Sequence, residues 1–318
     1  MIPWLLGCTA EAPPMDGDTD TSSLVAPPGD PYAVLPIGPQ FPWTDADVAG
    51  RRFSYHVPDD PIGLVFAFHG SHGGFDTVTQ VEWLDLYNLL VPAGVAVVLS
   101  ESLQREDPRQ WDLSSSSDNP DFAQLAAIRD WLIEQTAVGS DTPIASVGFS
   151  NGGSFANVFS FVALGAGWDV RTFVAHNASQ YDLSVPAMFV SAENDEEVRA
   201  PDEAVADCAG WTSTECPHLV GTEILLDPRR FARLPQYTVD DSAMLFDELV
   251  DLGMIDPSGA RLVDIDDPDA VMDWYVANSE GPSPTLPPNQ LRVVWATHRL
   301  SSQHAYEEAT WLVERLTQ

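Results

Sequence analysis

The sequence predicts an α/β protein, with a mostly parallel sheet covered by helices on both faces. Three observations lead there. Short apolar runs alternate with longer amphipathic segments along most of the chain. The short runs are continuously apolar, as strands buried on both faces must be. A glycine-rich turn at 148–153 joins one of these runs to an apolar helix.

Taken in order, 63–68 is a buried-strand run, 81–90 has helical spacing, and 95–99 is a second run just behind a glycine. Residues 122–136 predict a helix, with Phe122, Leu125, Ile128, Trp131 and Leu132 as its apolar positions. A strand at 144–147 and a helix at 155–164 follow, then strands at 172–175 and 187–190. Regularity weakens after Val190. It returns at 291–296, predicted as the final strand, and at 304–316, a final helix with Ala305, Ala309, Leu312, Val313 and Leu316 on one face. Between them, 199–290 is expected to be a cap-like insertion before the last strand.

With 318 residues, the chain is slightly long for one core, so one large domain over 33–318 with an insertion is expected. A hydrophobic share of 44% and ten tryptophans exclude disorder over most of the chain. Charge is the outlier: 48 acidic residues against 14 basic ones, all Arg, leave a net −34. Such a surface repels phosphate backbones, which excludes nucleic acid as a partner and makes acidic polymers poor ones.

Residues 1–32 read as a leader and tether. The apolar start ends in Leu5-Leu6-Gly7-Cys8, similar to the end of a bacterial lipoprotein signal, with Cys8 as the lipidated residue. The acidic, proline-containing stretch after it suits a flexible tether. Export to the cell envelope, periplasm or medium is therefore expected, with membrane contact only through this anchor. In that oxidising setting Cys208 and Cys216 read as a local disulfide. The acidic runs Asp16, Asp18, Asp20 and Asp264, Asp266, Asp267, Asp269 read as solvated loops, and no metal or cofactor is expected.

The chemistry centres on Gly148-Phe149-Ser150-Asn151-Gly152-Gly153, which fits G-x-S-x-G between a strand and a helix. Small residues two before and two after the serine permit a sharp turn, so the Ser150 hydroxyl projects above the sheet as a nucleophile. An oxyanion needs aimed N–H donors. Asn151, directly after the nucleophile, supplies one, and Ser71 in the loop His69-Gly70-Ser71-His72-Gly73-Gly74 supplies the other. His69 closes a core strand and reads as structural. His72 and Phe149 are candidates to touch substrate, as is His176 at the end of a strand near the site.

His69-Gly70 after a buried strand, Trp111 ahead of the helix preceding the nucleophile strand, and the 148–153 turn resemble the α/β-hydrolase superfamily. The nearest likeness is to the secreted esterase branch of poly(3-hydroxybutyrate) depolymerases and feruloyl esterases. It covers 50–198 well and 291–318 loosely. The resemblance implies an α/β-hydrolase fold, a cofactor-free ester hydrolase acting on a small or oligomeric ester, and a Ser, acid, His order along the chain. The acid belongs in a small-x-x-Asp loop, which Ala192-Glu193-Asn194-Asp195 supplies, so Asp195 is expected, with Glu193 and Glu196 as fallbacks. The base belongs after the last strand, where His298 and His304 compete. His298 is favoured, since a helix N-terminus at His304 disfavours an imidazolium. A peptidase or amidase using the same triad, and a non-catalytic binding or scaffold lipoprotein, are the alternative readings. Oligomeric state stays open.

Overall fold

The computed structural model describes residues 37–74, 77, 80–104, 106, 108–179, 184–195, 215–263, 275 and 287–318. In chain order its strands are β1 (Thr44–Val48), β2 (Arg51–His56), β3 (Gly63–Phe68), β4 (Val95–Ser100), β5 (Ile144–Phe149), β6 (Val170–His176), β7 (Ala187–Ala192) and β8 (His218–Gly221). Its helices are α1 (Val81–Leu90), α2 (Pro120–Gln135), α3 (Asn151–Gly165), α4 (Val239–Asp251), α5 (Pro288–Val294) and α6 (Ala305–Leu316), and a 3-10 turn occupies Arg230–Arg233.

The strands make one sheet ordered β1-β2-β4-β3-β5-β6-β7-β8. β1 pairs antiparallel with β2, and β2 antiparallel with β4, while every pair from β4 to β8 is parallel. All six positions of β3 and of β4 are buried, which is why neither alternates in sequence. Successive side chains still leave by opposite faces. Leu64, Phe66 and Phe68 pack with Phe122, Leu125, Ile128, Phe155 and Phe159 of α2 and α3. Val65 and Ala67 pack on the other face with Leu84, Tyr87 and Leu90 of α1 and Leu312 and Leu316 of α6. The result is an α/β-hydrolase fold: a mixed sheet with helices on both faces and a sharp strand-to-helix elbow at β5–α3.

Two readings of the sequence change. First, β1 and β2 were not visible in it. β1 is largely exposed and reads Thr-Asp-Ala-Asp-Val, so it carries no apolar pattern. Its tight connection to β2 is made by Ala49 (φ 54°) and Gly50 (φ 76°), both left-handed. Second, 291–296 is not a strand. Pro288 opens α5, which runs to Val294, and the chain then turns. A short apolar run bounded by proline cannot be told from a buried helix by periodicity, and here tertiary packing decided. Among the described residues the last strand is β8, inside the 199–290 stretch, so the expected final strand at 291–296 does not follow the insertion.

The described part of that stretch has its own apolar cluster. Leu226, Phe231, Leu245, Leu249 and Met254 gather around Leu291, Val294 and Trp295. α4 begins with a full capping box in which Thr238 and Asp241 satisfy each other's backbone N–H groups. Residues 1–36, Cys208, Glu196, the acidic run 264–269 and most of the proline-rich 281–288 segment lie outside the described residues.

Candidate active site

The elbow is built by sterics. Ser150 sits at φ 54°, ψ −124°, a conformation an L-residue adopts only under constraint. The constraint is close packing. A Cβ on Gly148 would lie 2.1 Å from the Gly152 carbonyl oxygen, and one on Gly152 would lie 2.3 Å from that of His69. Only glycine lets α3 begin this close to β5 and the end of β3. The Ser150 N–H donates to His176 O (2.8 Å), which fixes the turn to β6. Its side chain is left partly exposed at the start of α3.

The structure brings Ser150, His298 and Asp195 together. His298 Nδ1 lies 2.9 and 3.0 Å from the two Asp195 carboxylate oxygens, and His298 Nε2 lies 2.9 Å from Ser150 Oγ. With Nδ1–H donating to the carboxylate, Nε2 is left as an acceptor for the serine hydroxyl proton. Asp195 is 3% exposed and His298 6%, so the pair is shielded from water. The Phe149 ring packs against the imidazole at a centroid separation of 5.1 Å. Phe149, expected to touch substrate, therefore flanks the His298 ring.

The loop after β3 faces the elbow. Neither the Asn151 N–H nor the Ser71 N–H donates to an acceptor among the described residues. Behind them the scaffold is closely bonded. Ser102 N–H donates to His69 Nε2 (3.1 Å), so His69 Nδ1–H donates to Gly70 O (2.7 Å). Both ring nitrogens of this buried neutral imidazole are thereby engaged, consistent with the structural role expected of it. Trp111 Nε1–H donates to His69 O (3.0 Å). His72, at φ 63° and exposed, carries the loop outward, and its N–H donates to Arg109 O (3.1 Å).

Other predicted residues go elsewhere. His304 Nε2–H donates to Val220 O (3.1 Å) at the start of α6, so the structure unites His298, rather than His304, with the serine. His176, expected to line a substrate pocket, makes a buried contact from the sheet to α6. Its ring is 2% exposed and its Nε2 lies 2.9 Å from Glu308 Oε2, which ties β6 to α6. The parallel sheet sends alternate side chains to opposite faces, and this one falls on the face covered by α6. Cys216 is disulfide-bonded. Its expected partner Cys208 lies outside the described residues, as does Cys8. Among the described residues no group of three or more His, Cys, Asp or Glu side chains is arranged to hold a metal ion, and no helix is long and apolar enough to cross a membrane.

Sequence reasoning missed the contacts that brace this geometry. Asn151 Oδ1 accepts from Trp111 N–H (2.7 Å), joining the elbow to the loop before α2. Asp121 holds that loop through Leu103 and Asp112 N–H. Burial pushes its carboxyl above the usual range, although both backbone bonds pull the other way. Asn177, at φ 46°, accepts from Ala192 N–H (3.0 Å) ahead of the Asp195 turn. Asn194 N–H donates to Ala296 O (2.9 Å) and its side chain to Trp295 O (2.8 Å), binding the acid loop to the base loop. One signal was available: an asparagine just past a buried strand is suited to a left-handed or turn conformation.

No protein-family model matches the chain, and no curated protein matches it. Among solved structures it is similar to Est1E from Butyrivibrio proteoclasticus with ferulic acid bound, at 13% identity over 56% of this chain and 90% of that one, with a TM-score of 0.40. It is similar also to an arylesterase (15% identity, 67% and 86% covered, TM-score 0.43). A third is the acetyl xylan esterase from Aspergillus awamori (13% identity, 54% and 79% covered, TM-score 0.41). The fold assignment stands on this chain's own strand order and elbow.

Proposed function

We propose that the chain is a serine hydrolase of carboxylic esters that works through an acyl-enzyme. The observation that supports this most is one contact, His298 Nε2 at 2.9 Å from the Oγ of a serine held at φ 54°, with a buried carboxylate on the other ring nitrogen. Ser150 Oγ attacks the ester carbonyl carbon as its proton passes to His298 Nε2. The Asn151 and Ser71 N–H groups receive the negative oxygen of the tetrahedral intermediate, each such donor contributing on the order of 10²- to 10³-fold in rate. The C–O bond to the alcohol breaks as His298 returns the proton to the departing oxygen. Water then attacks the acyl carbon, His298 takes its proton, and Ser150 leaves reprotonated. Asp195 holds the imidazole tautomer and stabilises its cation without taking the proton.

The test is turnover of p-nitrophenyl acetate and butyrate by the protein and by Ser150→Ala, with labelling by a fluorophosphonate. Hydrolysis and labelling that both vanish in the variant are expected. Equal rates for the two proteins would refute the assignment. Export, lipidation at Cys8 and pairing of Cys208 with Cys216 belong to the same proposal, supported by the Leu-Leu-Gly-Cys run and the disulfide-bonded state of Cys216. Intact-mass analysis of the membrane fraction, with and without reductant, checks them.

A further inference from the structure

The base-bearing segment is short of regular structure where it matters. His298 sits between the end of α5 at Val294 and the start of α6 at Ala305, in a stretch of turns. Its two flanks nevertheless converge on a single carboxylate from another part of the chain. Glu82, in the first turn of α1, accepts from Gln290 Nε2–H (3.2 Å) and Arg230 Nη2–H (2.9 Å) at Oε1. At Oε2 it accepts from the Ser302 N–H (3.2 Å) and hydroxyl (2.6 Å). Arg233 stands 3.9 Å away and pairs also with Asp85. Glu82 is 7% exposed.

We propose that Glu82 is a positioning residue for His298: its buried carboxylate clamps Gln290 on one side and Ser302 on the other, and so sets where the imidazole hangs over Ser150. The proposal rests on the ester-hydrolase reading above. Each of these four partners is a donor, and four donors on two oxygens fill the capacity of an ionised carboxylate. The carboxylate is kept ionised although burial alone pushes it up. Arg230 first, then Arg233 and the Ser302 bonds, outweigh that and hold it at about 2. The clamp also spans two apolar clusters, since Leu291, Val294 and Trp295 lie in one and Leu300 in the other. The helix carrying Glu82 begins shortly after the Ser71 loop in sequence.

The experiment compares Glu82→Gln with the unaltered protein. Gln keeps the shape but offers one acceptor oxygen and adds a donor facing other donors. A displacement of about 1 Å in a catalytic group costs on the order of 10²-fold. A fall of that order in kcat toward p-nitrophenyl butyrate, with KM little changed, is expected at a temperature where circular dichroism shows a folded protein. The far-downfield proton resonance of the His298 Nδ1–H bonded to Asp195, assigned by its loss in His298→Ala, is expected to broaden or shift. A merely structural role would lower Tm while leaving kcat and the resonance of the folded protein unchanged, and that result overturns the proposal. Should Glu82→Gln fail to fold, Ser302→Ala and Gln290→Met each remove one arm. Each is then expected to lower kcat and move the resonance, and no change in either variant overturns the clamp. If the unaltered protein hydrolyses no ester, the functional reading fails by itself, and the resonance alone still decides the clamp.

Discussion

The two halves of the proposed catalytic pair are held by different physics. Ser150 is positioned locally, by glycines at 148 and 152 whose missing side chains let three backbone segments meet. His298 is positioned from afar, by hydrogen bonds reaching it from residues more than a hundred positions away in sequence, among them Asn194 to Trp295 and Asp195 to His298 itself. A nucleophile whose strained backbone must be reproduced on every folding event is best specified by steric exclusion. A base that must rotate and carry charge during turnover is held by its ring partners and by the segment on which it hangs.

Substitutions that break either half separate the two modes of support, and the largest effect is expected at the reacting atoms. Ser150→Ala and His298→Ala should each lower kcat by on the order of 10⁶-fold, and the double variant little further, because the residues act as a unit. Steady-state kinetics on p-nitrophenyl butyrate reads this. Asp195→Asn preserves shape but imposes the wrong tautomer on the imidazole, and a loss of about 10⁴-fold in kcat is expected.

Smaller effects sharpen the contrast between local and distant support. Gly152→Ala places a methyl 2.3 Å from the His69 oxygen, against rigid backbone. A stability loss of about 1–3 kcal/mol or more by urea denaturation should accompany lost turnover. Asn194→Ala removes the 2.8 Å bond to Trp295 O, with an expected stability cost of about 1 kcal/mol and a fall in kcat. If instead Asn194→Ala destabilised the protein more than Gly152→Ala, the contrast between the two supports would be reversed.

The last test is a pH dependence. The Glu82 carboxyl has a folded value of about 2 against an ordinary 4.5. A lowered folded value means stability that is fully present above the ordinary pKa and lost as pH falls toward the folded one. The stability advantage of the unaltered protein over Glu82→Gln should therefore shrink between about pH 4.5 and pH 2, measured by urea denaturation of both at each pH.

The elements that were legible in the sequence are those whose signal is local. The buried runs of β3 to β7, the helices α1, α2, α3 and α6, and the Gly148–Gly153 elbow each announce themselves within a dozen residues. β1 escaped notice because an exposed edge strand needs no apolar pattern. The run at 291–296 was misread because a buried helix of two turns and a buried strand look alike. Glu82 was passed over although helical spacing places it with Leu86 and Leu90, an acid on an apolar face that demanded a buried partner.

From the sequence by itself came the α/β class, the strand-to-helix elbow, its serine, and a short set of candidate acids and bases. Tertiary structure alone decided that His298 and not His304 meets that serine, that His176 turns to Glu308, and that the eighth strand lies at His218–Gly221. The reason is range. Backbone sterics and periodicity act over a few residues and leave a trace in the order of side chains, whereas the contacts that orient an imidazole join segments distant in the chain, whose meeting only packing determines.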